Sequence, residues 1–98
     1  MSAEEDLEQY EAEAELQLYE EYKAVLPMFK YVVETDRRVY LANEVTLKPH
    51  SNSDGIWNEI DIKDAWVWDM YRSQRFVQSV HVITMKDINV ESLPETDL

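Results

Sequence analysis

Apolar residues in the first quarter of the chain recur every three or four positions. Leu7, Tyr10, Ala14, Leu18, Tyr22 and Val25 make one stripe, the spacing of a helix that buries a single face. Ser2 and Glu5 have capping-box spacing, and acidic residues crowd the first turns, where the helix macrodipole is positive. Pro27 ends the run, because its ring does not fit a helix interior. The pattern predicts a helix over about 3–26, about 36 Å long at 1.5 Å per residue. Leu18, Tyr19, Tyr22, Val25 and Leu26 crowd its second half, whereas Glu4, Glu11 and Glu15 interrupt the stripe in the first. The second half is expected to pack on the domain and the first half to be less buried.

From residue 29 the period drops to two. Strands are predicted at 29–35, 39–48, 56–68 and 76–87. Asp36-Arg37-Arg38 and Ser51-Asn52-Ser53-Asp54-Gly55 read as turns, Pro49 as a strand stop and Asp69–Gln74 as a loop. Residues 88–98 read as a tail, mobile from Glu91 onward. A helix followed by consecutive strands predicts one α+β domain over 1–98. Its architecture is one long N-terminal helix packed on a four-stranded, mostly antiparallel sheet.

The register of the second and third strands is also specified. Val39, Leu41, Val45 and Leu47 alternate on one face around Asn43; Ile60, Ile62, Trp66 and Trp68 alternate around Asp64. Closing residues 52–55 as the loop makes paired numbers sum to 107. Leu47 then meets Ile60 and Leu41 meets Trp66, while Lys48 faces Glu59 and Glu44 faces Lys63 as opposite-charge pairs. A slip by one residue destroys every match. Asn43 and Asp64 fall side by side on the apolar face, a polar pair flanked by Trp66.

Charge refines the picture. Residues 1–22 hold nine acidic and no basic residues, a charge of −9; residues 23–98 hold nine basic and twelve acidic, a charge of −3. The acidity therefore belongs to the helix. An acidic helix suits a basic protein partner and opposes a sequence-independent grip on nucleic acid, which relies on Lys and Arg at phosphates. The chain has no cysteine, which excludes disulfides, thiolate metal sites and a thiol nucleophile. No apolar run approaches membrane-spanning length, and the acidic start lacks the basic stretch of a signal peptide.

Candidate chemistry is sparse. Glu59, Asp61 and Asp64 form a carboxylate-rich stretch suited to a divalent metal or acid–base work, but on a strand Asp64 points away from the other two. His81 lies mid-strand, where a packed or solvent-facing role is expected, and His50 follows Pro49 at a turn and is expected to be exposed. No Walker loop, nucleophile elbow or HExxH pattern is present. Trp66, Trp68, Tyr71, Arg72 and Arg75 concentrate the residue types that dominate binding hot spots. The tryptophans, two apart on one strand face, read first as core. Arg37 and Arg38 sit in another turn, and together with Arg72 and Arg75 they would make a cationic edge.

The string Asp64-Ala65-Trp66-Val67-Trp68-Asp69-Met70-Tyr71-Arg72 carries a resemblance. So do the residues Phe29–Thr35, Tyr40–Asn43, Arg75-Phe76-Val77 and Lys86–Asn89 and the Ser-Ala-Glu-rich opening. With these segments the chain resembles an actinobacterial family of small proteins, domain of unknown function 2469, over nearly its whole length. The resemblance implies a cytoplasmic protein, often encoded near a type II ribonuclease H; it brings no activity or catalytic residues. The expected function is a non-enzymatic protein-interaction module that uses no cofactor or metal. Apolar groups on both sheet faces, of which one helix covers only one, call for a second copy or another protein as partner. Two alternatives stand beside it: an accessory factor in nucleic-acid metabolism or translation using the arginine edge, and a divalent-metal phosphoesterase. The binding residues expected are Asn43, Asp64, Trp66, Trp68, Tyr71, Arg72, Arg75, Arg37 and Arg38.

Overall fold

The computed structural model describes residues 3–94, with side chains from Leu7 onward. Helix α1 (Ala3–Val25) runs into a short 3-10 turn at Leu26–Met28, whose second residue is Pro27. Five strands follow: β1 (Tyr31–Glu34), β2 (Val39–Asn52), β3 (Gly55–Val67), β4 (Phe76–Thr84) and β5 (Asn89–Ser92). They form one antiparallel sheet in the order β4-β3-β2-β1-β5. The α+β architecture is as expected, with five strands rather than four.

The turns are closed by short polar side chains. Thr35 Oγ1 accepts from the backbone N–H groups of Arg37 and Arg38, at 3.3 and 3.1 Å, which tightens the β1–β2 connection. Asn52 Oδ1 accepts from the Asp54 N–H at 2.8 Å, and the β2–β3 ladder runs out to Asn52↔Gly55. The loop is thus two residues, Ser53 and Asp54, with the single glycine just beyond it at φ +144°. Side-chain-bearing residues rarely adopt that conformation.

The predicted register holds. Leu47↔Ile60, Val45↔Ile62, Leu41↔Trp66, Lys48↔Glu59 and Glu44↔Lys63 are all partners. Strand β1 is trimmed to Tyr31–Glu34 and β4 stops at Thr84 rather than 87, and two departures are larger. Strand β2 continues through Pro49 to Asn52. Beyond Ala42 it has β3 on one side only, because β1 ends its pairing there, so the missing N–H of Pro49 falls on an open edge. The predicted tail begins as a strand: β5 pairs with β1 through Val33↔Val90, and the Leu93 N–H donates to the Lys30 carbonyl at 2.7 Å. Ile88 and Val90 pack on one core cluster and Leu93 on the other, which explains why the segment docks. Residues 95–98 of the expected tail lie outside the described residues.

The predicted apolar face does not survive as one face. Leu41, Trp66 and Trp68 pack against α1 with Leu18, Tyr22, Val25 and Phe29. Val45, Ile60 and Ile62 belong instead to a second cluster with Val33, Tyr40, Ala42, Ala65 and Val67. Within that cluster, residues three apart lie together in three strands: Ala42 and Val45, Ile62 and Ala65, Val77 and Val80. Strict alternation forbids this. The exchange falls on one row across the sheet, Asn43, Asp64 and Gln78, and Asp64 there has φ +52°. The row is a crease. Beyond it the sheet rolls over, and residues expected under the helix line the opposite surface. The end of β4 meets the β1–β2 turn, where Thr84 Oγ1 donates to Asp36 Oδ1 at 3.1 Å.

Candidate functional site

The crease and the helix place the predicted binding residues in different surroundings. Asn43 and Asp64 are neighbours, as the register requires: Asn43 Nδ2 donates to Asp64 Oδ2 at 2.7 Å. The pair is not buried on an apolar face, however; Asp64 is exposed and Asn43 half-buried. The positive φ of Asp64 turns its carboxylate to solvent, where it needs no compensating burial partner. Trp66 is fully buried.

Most of the expected cationic edge faces the protein's own acceptors. Arg75 Nη1 donates to Glu21 Oε2 at 2.7 Å, and its other nitrogens donate to the carbonyls of Asp69 and Met70 at 3.0 and 3.4 Å. Only 17% of the Arg75 side chain is exposed. Glu21 Oε1 in turn accepts from the Trp66 indole at 2.7 Å. One helix carboxylate thus ties together a buried tryptophan and the loop arginine. In the sequence Glu21 is one of the nine acids of the helix; its i+1 neighbour Tyr22 and i−3 neighbour Leu18 on the packed stripe are the signal that it lies beside the core. Arg72 Nε donates to the Gln74 carbonyl at 2.6 Å, and Arg38 lies 3.5 Å from Asp69 Oδ2.

Four of the predicted residues do converge. Arg37, Arg38, Trp68 and Tyr71 line a cleft of about 570 Å³ between the β1–β2 turn and the middle of α1, closed on the helix side by Glu15, Leu18 and Tyr19. Arg37 and Arg38 also border a groove of about 850 Å³ that runs along the end of β4 past Ile83 and Met85. Tyr71 sits against the acidic helix, where the negative charge of Glu11 is the main cause that raises its hydroxyl pKa. Burial likewise pushes the Tyr40 hydroxyl above its ordinary range, against the opposing pull of Arg38 and Arg72.

The carboxylates of β3 divide into two groups. Glu59 and Asp61 share one face, but the third group beside them is His81 and not Asp64. His81 Nδ1 lies 2.6 Å from Asp61 Oδ1, a hydrogen bond that holds the Asp61 carboxyl below its usual range. The phosphoesterase constellation of Glu59, Asp61 and Asp64 is therefore not assembled.

The family model described as "Protein of unknown function (DUF2469)" matches residues 1–98. The chain belongs to this family. The DUF2469 assignment agrees with the resemblance carried by the Asp64–Arg72 string. The chain is also 53% identical over 98 residues to the uncharacterized protein Rv2901c of Mycobacterium tuberculosis, covering all of this chain and 96% of the relative. Mb2925c of Mycobacterium bovis, also uncharacterized, matches with the same identity and coverage. No solved structure matches. Among the described residues of this DUF2469 member, no helix is long and apolar enough to cross a membrane.

Proposed function

We propose that the protein is a non-enzymatic interaction module that offers the first half of α1 to a basic protein partner. The observation that carries this reading is the exposure of that half. Leu7 is 57% and Tyr10 66% exposed, although both lie on the stripe that buries Leu18 and Val25 further along. Leu16 and Tyr19 are exposed as well. An apolar stripe set among nine acidic residues, with no base before Lys23, matches a partner groove that is apolar at its centre and basic at its rim.

The sheet residues expected to lie uncovered are not what supports a partner. Val33, Ala42, Ala65 and Val67 are buried by the roll of the sheet itself. A nucleic-acid role loses support for a similar reason, since Arg38, Arg72 and Arg75 are engaged internally.

The test compares native protein with a Leu7→Ser/Tyr10→Ser double variant as bait in cell extract. A stoichiometric basic partner retained by the native helix, released by salt and missing from the variant supports the proposal. The same proteins on both baits, or a partner insensitive to salt, overturns it. Self-association in sedimentation, abolished by the same variant, would replace the basic partner with a second copy.

A further inference from the structure

Beyond the crease, on the outer face of the rolled part of the sheet, three strands align imidazoles and carboxylates. Glu59 and Asp61 are two apart on β3 and so share a face. His81 is the direct β4 partner of Asp61. His50, on β2, reaches Glu59 from the other side. His81 Nδ1 is 2.6 Å from Asp61 Oδ1, His81 Nε2 is 3.9 Å from Glu59 Oε1, and His50 Nε2 is 3.3 Å from Glu59 Oε2. One donor atom from each of Glu59, Asp61 and His81 falls within 4.8 Å of the other two.

A second observation concerns His50. Its ring stacks flat on Trp57, with centroids 4.9 Å apart and planes 10° from parallel, which fixes where the imidazole points. Among the described residues its Nε2, itself shut off from solvent on a side chain 37% exposed, has no hydrogen-bond partner, although Glu59 is near. The nitrogen faces the acidic cluster at 3.3 Å from Glu59 Oε2 without forming a hydrogen bond to it. Buried polar nitrogens in native proteins are nearly always satisfied.

We propose that Glu59, Asp61 and His81, with His50 as the fourth ligand, bind one divalent transition-metal ion of the zinc class. Donors around a tetrahedral ion with bonds of about 2.1 Å lie about 3.4 Å apart. The measured contacts use different nitrogens of His81 and different oxygens of Glu59, so the Glu59, Asp61 and His81 side chains must rotate to bring one donor atom each, now within 4.8 Å of one another, onto the ion, with His50 reaching it past Glu59. Two imidazoles select Zn²⁺ over Mg²⁺, which prefers oxygen ligands and retains its water. Lys48 Nζ, 3.5 Å from Asp61 Oδ2, gives way on binding or stays on the outer carboxylate oxygen. Four protein ligands fill a tetrahedral shell, so the ion would staple β2, β3 and β4 together and leave no open position for a substrate.

The experiment titrates the full chain with Zn²⁺ against a chromophoric chelator at pH 7, and with Co²⁺ followed by its visible absorption. One equivalent is expected, with the intense bands of tetrahedral Co²⁺ and no competition from millimolar Mg²⁺. His81→Ala should weaken binding more than about tenfold, the loss that follows removal of even an outer-shell partner. Far-UV circular dichroism checks that the variant folds. A measurement on the native chain covers the case in which it does not: the His50 and His81 ring resonances should shift together with the first equivalent of Zn²⁺. Absence of a one-equivalent site, unmoved ring resonances, or affinity unchanged in a folded His81→Ala overturns the site. Affinity unchanged in His50→Ala alone overturns the fourth ligand.

Discussion

Asp64 combines two roles in one position. Its backbone, at φ +52°, makes the crease, and its carboxylate accepts from Asn43. Left-handed backbone disfavours side chains in general and β-branched ones most, by about 1–2 kcal/mol for an ordinary residue. Asp64→Val should therefore lower unfolding free energy by at least about 1 kcal/mol in urea titrations, whereas Asp64→Asn, tolerant of the conformation and able to accept, should be near native. Glu21 offers a second test. Glu21→Ala leaves the buried Trp66 indole N–H and the Arg75 guanidinium without their acceptor, and should cost about 2 kcal/mol or more. Glu21→Gln retains an acceptor for the indole and should cost less. Equal losses would mean that the ion pair alone matters. Tyr40 carries a pH signature: its hydroxyl ionises above the ordinary value of about 10. A raised folded pKa favours the neutral hydroxyl in the fold. Its stabilising contribution is complete below about pH 10 and is lost as pH rises through the folded value. Ultraviolet titration of phenolate should show late ionisation from Tyr40 and Tyr71, and Tyr40→Phe should remove one part of it.

Element boundaries follow the apolar period closely where one face is buried. Helix α1, the long hairpin and its register were legible because Leu18, Tyr22 and Val25, and the paired rows around Asn43 and Asp64, left a single consistent alignment. The crease was not legible. Alternation persists on both sides of it, and only a backbone angle at one aspartate signals that the faces exchange. Strand β5 was hidden by shortness and by Pro94, although Ile88, Val90 and Leu93 mark its packed positions. Of the site, Arg37, Arg38, Trp68 and Tyr71 were found in sequence. The histidines of the β2–β3–β4 face were set aside, because the partner of a lone strand histidine depends on pairing with residues about twenty positions away. The first half of α1 is expected to be separable. Deleting residues 1–11 should change unfolding free energy by less than about 1 kcal/mol; a loss beyond about 2 kcal/mol, the burial value of a large apolar side chain, would show that it packs.

For the whole molecule, the net charge of −12 sets the balance between self-repulsion and local pairing. Raising ionic strength from about 0.01 to 0.1 M shortens the screening length from about 30 to 10 Å. Repulsion along the acidic helix acts over such distances, while the Glu21–Arg75 contact at 2.7 Å is partly buried and less screened. The thermal midpoint should therefore rise with salt, and rise less once residues 1–11 are removed. A fall would mean that short ion pairs outweigh the repulsion. The molecule is also thin, 20 Å along its shortest principal axis, which is the depth of one helix on one sheet. Such a slab has few buried residues per strand, and any ligand that crosses three strands stabilises it disproportionately.

The Glu21 carboxylate has an optical consequence. Trp66 is held by that carboxylate at its indole nitrogen, with the Tyr22 and Trp68 rings each 6.0 Å from its own. Undocking α1 would expose the indole to water and strip it of a charged hydrogen-bond acceptor in one event. Its emission would then move to longer wavelength even though every sheet hydrogen bond remained intact. Trp57, stacked on His50 far from the helix, would keep its own spectrum. A Trp57→Phe protein therefore contains a built-in reporter for helix release, readable at micromolar concentration while a partner is added.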